Sequence, residues 1–478
     1  MELTTVPGDP RGFAAPADVV RSGAAAHRPG TTSELLDGTR VTDHWFTVPL
    51  DHARPEGPGI TVYAREYGAA TGPGSGPVAE RPWMLFLQGG PGGKGVRQAR
   101  LGGWMKEAAK HFRILMLDQR GTGLSTPANR QTLPAVGNAE EQAEYLVHFR
   151  APSIVQDAEL IRLALATGPW TVLGQSFGGF CALSYLSWHP EGLERALITG
   201  GLAPLDGHAE RVYRATFGRM RVRNEEYFAR YPEDREVLSR VYAAARAGGE
   251  QLPDGSPVTV GRVQMLGMYL GGNTRMDLLH CLLQEAFVET PDGPRLSDAF
   301  LHGLYQQVSR AANPLYLVMH ESIYAQPAEY GAATSPTGGS GTGSAATAWA
   351  AQRLVEGSPH LADFDPARSR EPLLTGEMVF DWYPELDPAL APLAPVTEAL
   401  ARRTDWAPLY DREQLAANTV PVAAAVYTHD VYVDRDLSLE TASRVAGLQV
   451  WETDEYHHDG LGDDGAAILR RLLGMTGH

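Results

Sequence analysis

Cysteine is nearly absent: Cys181 and Cys281 are the only two in 478 residues. No disulfide framework holds such a chain together. Without a Cys-x-x-Cys pair it also lacks a redox dithiol and a thiolate zinc site. Positive charge is short as well. Lysine and arginine number 41 against 57 aspartates and glutamates, a formal net charge of −16. A field of that sign repels phosphate backbones and anionic lipid, so nucleic acid and membrane surfaces are not expected partners. It suits a small cationic partner, such as a peptide's α-ammonium group. No run of about 18 uncharged apolar residues occurs, which argues against a membrane span. The opening residues, MELTTVPGDP, carry neither the basic nor the apolar region of a secretory leader. The expected location is the cytoplasm.

What is present reads as an ordinary globular protein, with 43% hydrophobic and 21% charged residues. The length accommodates one large domain with a substantial insertion, or two domains. Residues 1–38, rich in Pro, Gly, Ala and Thr, read as an irregular lead-in. Val41–Leu50 and Ile60–Tyr67 alternate like the strands of an antiparallel hairpin. Short apolar runs follow, each ending in turn residues: Met84–Leu87, Ile114–Leu117, Thr171–Leu173 and Ala196–Ile198. Helical patterns lie between them at Ile154–Ala166 and Phe180–Trp188. Strands alternating with helices imply a parallel sheet covered on both faces.

Beyond Pro204 the pattern changes to helices, as at Glu210–Arg230, Asp234–Ala245 and Met276–Phe287. Strands return at Val420–Tyr427 and Leu448–Trp451, before a last amphipathic helix at Ala466–Leu473. The expected division is a lead-in at 1–38, a first core part at 39–203, a helical cap at 204–400 and a second core part at 401–478. Such a cap would cover the C-terminal edge of the sheet, where these sheets bind ligands. Gly331–Thr347 is a low-complexity loop, expected to be mobile. Its Gly-x-Gly pieces follow no strand and open no helix, so they are not a nucleotide loop.

Gly174-Gln175-Ser176-Phe177-Gly178 fits G-x-S-x-G between a strand and a helix. A serine on so sharp a turn needs neighbours almost free of side chain, and the helix start beneath it favours developing negative charge. Ser176 is the candidate nucleophile of an α/β-hydrolase fold. A serine hydroxyl needs a general base, and the base needs a carboxylate to fix its tautomer. In this fold acid and histidine follow the serine in that order, each after a strand. The loop after Val422–Tyr427 offers Asp430, nearest the strand end, with Asp434 as the alternative. The loop after Leu448–Trp451 offers His457 and His458, between which spacing does not decide. Gln88-Gly89-Gly90-Pro91-Gly92-Gly93 follows an early strand and reads as an oxyanion loop, with the Gly90 and Phe177 N–H groups as the two donors. Lys94 hints at a phosphate loop, but Gly95 stands where that motif needs Ser or Thr. His457-His458-Asp459 is no metal site, because adjacent residues on an extended segment point apart. Cys181 reads as a small buried hydrophobe.

These residues together resemble the proline iminopeptidase (prolyl aminopeptidase) family. The resemblance rests on QGGPGG at 88–93, DQRGTGLS at 118–125, GQSFGG at 174–179, YTHDVYVD at 427–434 and EYHHDGL at 455–461, and so spans most of the chain. It implies a helical cap, no cofactor, and release of N-terminal proline from peptides with a free amino group. It also implies Asp430 as the acid, His458 as the base, and cap glutamates that bind the substrate's amino group. By local pattern those glutamates are Glu321 and Glu377. Tyr324, Phe380 and Trp382 are candidates to wall the pyrrolidine pocket. Two departures stand out: Gln88 replaces a frequent histidine, and Thr199 replaces an arginine of smaller members. Arg120 is expected to tie loops together near the oxyanion segment. The alternatives are a general esterase or amidase on the same triad, and an aminopeptidase of other N-terminal specificity.

Overall fold

A computed structural model describes residues 25–68, 81–331 and 346–477. Among these residues nine strands form one sheet: β1 Ala26–Glu34, β2 Arg40–Pro49, β3 Gly59–Gly68, β4 Trp83–Leu87, β5 Arg113–Asp118, β6 Trp170–Gln175, β7 Leu193–Thr199, β10 Val422–Tyr427 and β11 Leu448–Thr453. Their spatial order is β1-β2-β3-β5-β4-β6-β7-β10-β11. The first three pair antiparallel, β3 meets β5 antiparallel, and every later pairing is parallel.

The central strands read as continuous apolar runs because both faces are covered. Leu85 and Leu87 of β4 belong to one core, and Met84 and Phe86 to the other. Helices α2 (Ala151–Ala164) and α3 (Phe177–Trp188) contribute to the first core. The second core takes side chains from α1 (Gly103–Ala108) and the last helix, α11 (Gly460–Met475). Ile468, Leu469 and Leu472 are fully buried there, each worth ~1.5–3 kcal/mol of apolar burial. They anchor the helix that begins just after His458. α1 and α11 approach closely: a Cβ on Gly465 would lie 2.9 Å from Trp104 Cβ.

The helical insertion falls between β7 and β10. Its main helices are α4 Ala209–Arg230, α5 Asp234–Ala247, α6 Arg275–Gln284, α7 Asp298–Val308, α8 Ala350–Gly357 and α9 Ala394–Arg402, with a hairpin of β8 Phe287–Thr290 and β9 Gly293–Leu296. α10, Arg435–Ala442, links β10 to β11. Insertion and sheet share one continuous core, so the cap is fused to the sheet face.

Two local expectations fail. The lead-in is not irregular throughout, since Ala26–Glu34 is a strand paired with β2. Its exposed, polar residues give no alternation to read, and the pairing is made by backbone groups. The helix expected to run to Phe287 stops at Gln284, because Phe287 opens the β8–β9 hairpin. Residues 1–24 and most of the loop Gly331–Thr347 lie outside the described residues.

Candidate active site

Ser176 sits between β6 and α3 with φ 54° and ψ −125°, a backbone conformation that costs a non-glycine residue ~1–3 kcal/mol. Three close approaches hold it there. A Cβ on Gly178 would fall 1.9 Å from the Leu87 carbonyl oxygen, and one on Gly174 would fall 2.3 Å from that of Gly178. The Ser176 N–H donates to the Thr199 carbonyl at 3.0 Å, which ties the elbow to the end of β7.

Asp430 lies in the turn three residues after β10, and β11 leads to His458. The His458 Nδ1–H donates to Asp430 Oδ2 at 2.8 Å. Asp430 Oδ1 accepts from the Tyr432 and Val433 N–H groups at 2.8 and 3.0 Å, so both carboxylate oxygens are engaged. Burial acts against a charged imidazole, yet the Asp430 carboxylate beside it, with Glu377 and Asp459 adding their fields, lifts the His458 pKa to about 9. Gly200 lies between this pair and the serine elbow. A Cβ on it would sit 3.3 Å from both Asp430 Oδ2 and His458 Nδ1, while the next residue, Gly201, is packed on the Ser176 carbonyl. Among the described residues the Ser176 hydroxyl makes no hydrogen bond.

The rival residues have other partners. Asp434 caps α10, accepting from the Asp436 and Leu437 N–H groups at 2.9 and 3.1 Å, and pairs with Arg219 at 2.8 Å. His457 Nδ1 bonds the Asn273 side chain, and burial lowers its pKa to about 4.

The QGGPGG loop lies against the elbow, with the Cβ position of Gly89 2.9 Å from Ser176 Cβ. Gly90 has φ +66°, a left-handed conformation natural to glycine. Among the described residues, neither the Gly90 nor the Phe177 N–H donates a hydrogen bond. The β5 segment secures this loop. Asp118 accepts from the Gly95 N–H at 2.9 Å and from Arg97, and Gln119 Nε2 donates to the Gln88 carbonyl at 3.2 Å. Arg120 is buried and bidentate with Asp157 at 2.6 and 2.7 Å, and it also donates to the Leu50 and His148 carbonyls at 2.8 and 2.6 Å. It joins β2's end to α2, whereas Asp118 and Gln119 hold the oxyanion segment.

The two cap glutamates occupy different surroundings. Glu377 Oε1 accepts from the Tyr316 hydroxyl at 2.9 Å. Burial raises its pKa, while His458 heads the influences that lower it. Tyr316 lies over Gly90, with Cδ2 3.5 Å from the glycine's Cβ position. Glu321 Oε1 accepts from the Ala350 N–H at 2.8 Å, at the first residue of α8, and burial raises its pKa to about 7. Tyr213 senses both carboxylates, after burial as the main cause of its raised pKa.

Tyr324 packs on Phe180, ring centres 5.7 Å apart, and Phe180 on Phe177 at 6.0 Å. Phe380 instead stacks on Trp382, whose indole packs against Gly261 within the cap. Cys181 is buried, and burial raises its thiol pKa. Sequence reasoning missed Tyr316 and Tyr432. The Tyr432 ring stands edge-on to His458 with centres 4.9 Å apart, and its hydroxyl donates to the Met268 carbonyl at 2.9 Å. Tyr432 lay in plain view, inside the YTHDVYVD segment. Tyr316 had no local signal.

A mostly parallel sheet, a serine on a glycine-lined elbow after β6, and a histidine–carboxylate pair at the ends of β10 and β11 define the α/β-hydrolase class. Residues 82–238 match the alpha/beta hydrolase fold family. The chain is 42% identical to the proline iminopeptidase of Aeromonas sobria over 92% of its own length and 98% of that protein. It is 33% identical to proline iminopeptidase aneH of Aspergillus aculeatus, over 91% of this chain and 93% of that one. A tripeptidyl aminopeptidase of Streptomyces coelicolor shares 26% identity over 34% of this chain and 35% of its own. The chain belongs to the proline iminopeptidase family.

Proposed function

We propose that this protein releases N-terminal proline from peptides with a free amino group, by acyl transfer through Ser176. His458 takes the Ser176 proton on the ring nitrogen facing away from Asp430, and Ser176 Oγ attacks the prolyl carbonyl carbon. The oxyanion accepts from the Gly90 and Phe177 N–H groups. His458 then protonates the departing amine nitrogen, the C–N bond breaks, and a prolyl ester remains on Ser176. Water, deprotonated by His458, hydrolyses that ester and frees proline. Asp430 fixes the tautomer and supports the imidazolium.

The substrate ammonium is held by Glu377, with Glu321 adding negative charge behind it. A charge-assisted contact of this kind rejects blocked N-termini, because an acylated amine leaves a half-buried carboxylate unpaired. The observation that carries the reading is the Glu377–Tyr316 bond beside Gly90. It sets a carboxyl group next to the oxyanion loop and in the field of His458. Identity across nearly the whole length of the Aeromonas enzyme supports the same chemistry.

A fluorophosphonate probe followed by peptide mass spectrometry tests the nucleophile. The expected adduct is on Ser176, suppressed by excess proline amide. An adduct on another serine, or none, contradicts the assignment.

A further inference from the structure

A cavity of about 460 Å³ opens behind the oxyanion loop, on the side of the sheet where α1 and α11 pack. It touches the oxyanion loop, the serine elbow and the histidine loop. Gln88 opens the loop of Gly90, Gln175 precedes Ser176 and Asp459 follows His458, and all three line it. Trp104, stacked on Phe86 with ring centres 4.6 Å apart, forms an apolar wall. The side chains of Gln88, Gln98 and Gln175 make no hydrogen bond to the described residues, and all three are half-buried. Arg100 is exposed and has no ion-pair partner among them. Asp459 pairs with Arg275 at 3.9 Å, so Arg100 is the cavity's unpaired charge.

We infer that this cavity is the site for the part of the substrate beyond the scissile bond, and that it favours short peptides ending in a free carboxylate. The inference rests on the aminopeptidase reading. In that reading the prolyl group and its ammonium face the cap, at Glu377 and Tyr316. The leaving nitrogen must face His458 to take a proton, so the chain beyond it departs past Asp459. Peptide backbone needs donors and acceptors together, and an unpartnered carboxamide offers both. Three of them converge here. A terminal carboxylate then meets Arg100, on a protein whose net charge of −16 otherwise repels it. Guanidinium binds carboxylate with two parallel hydrogen bonds, which gives the contact direction as well as charge.

The test compares proline amide, Pro-Gly-Gly and Pro-Gly-Gly amide, with wild type and Arg100→Glu. Wild type is expected to prefer the free acid over its amide. Reversal of an exposed charge is expected to lower kcat/KM for Pro-Gly-Gly about three- to tenfold, mainly through KM. Proline amide, whose leaving group is ammonia, is expected to be unaffected. The effect should shrink as salt is raised, because the contact is open to solvent. Gln98→Leu is expected to raise KM for both tripeptides and not for proline amide. Equal losses on all three substrates, or none on the tripeptides, overturn the assignment of the cavity. Failure of the wild type to release proline from any of the three substrates would instead remove the aminopeptidase reading beneath it.

Discussion

Asp430→Asn is the sharpest perturbation of the proposed machinery, because both oxygens of this carboxylate are engaged. Oδ1 accepts from two backbone N–H groups and Oδ2 from His458 Nδ1. An asparagine can satisfy the backbone donors with its one oxygen, so its amide nitrogen must face His458. That forces the imidazole to accept at Nδ1 and to carry its proton on the other nitrogen, which can then no longer take the Ser176 proton. The scale of the carboxylates' support is read from the net His458 pKa, which burial opposes and Asp430, Glu377 and Asp459 raise, Asp430 most. A rise from 6.5 to about 9 corresponds to about 3 kcal/mol favouring the imidazolium, at ~1.4 kcal/mol per unit. Adding the tautomer error, kcat/KM should fall by about 10³–10⁴.

The pH dependence has a definite sign. The base works deprotonated, so the rising limb of kcat/KM in wild type lies on the alkaline side of neutrality. In Asp430→Asn it moves to lower pH. Stability shifts in the opposite sense. A histidine whose pKa is raised on folding stabilises the fold fully below about 6.5, and that contribution disappears as pH passes about 9. Wild type is therefore expected to lose Tm between those values, and the variant to lose less. Stopped assays on proline p-nitroanilide and thermal melts across pH 5–10 read both effects. A variant retaining more than about a tenth of wild-type activity, with an unmoved limb, refutes the pairing as the source of catalysis.

Other outcomes follow from the same geometry. Glu377→Gln is expected to raise KM for free-amine substrates at least tenfold and to shift the acidic limb downward, because it removes a carboxylate from the field of His458. Kinetics on proline p-nitroanilide and a neutral ester give the comparison. Glu321→Gln removes a buried charge but keeps an acceptor for the Ala350 N–H. Its Tm is expected to match wild type near pH 4 and to exceed it above pH 7, since Glu321 ionises there at a cost. Gly178→Ala must displace the elbow or β4, given the 1.9 Å approach to Leu87. Activity is expected to vanish while far-UV circular dichroism changes little.

Much of this was legible because the chemistry is local. Glycines at Gly174 and Gly178, the apolar runs of β4 to β7 and the loops that end them all write themselves into short segments. The choice between Asp430 and Asp434 is not of that kind. Both carboxylates accept backbone N–H groups two and three residues on, and only His458 and Arg219, distant in sequence, tell them apart. His457 and His458 are adjacent, and Asn273 and Asp430 separate them. Tyr316 reaches Glu377 across 61 positions, with nothing in its own segment to announce it. β1 escaped because a strand held by backbone pairing at an exposed edge needs no apolar alternation.

Turnover of proline p-nitroanilide against its N-acetylated form, by wild type and Ser176→Ala, bears most directly on the whole account. Wild type should cleave the free amine and leave the acetylated compound essentially intact, and the alanine variant should cleave neither. Comparable cleavage of both compounds, or activity that survives loss of the Ser176 hydroxyl, would contradict it.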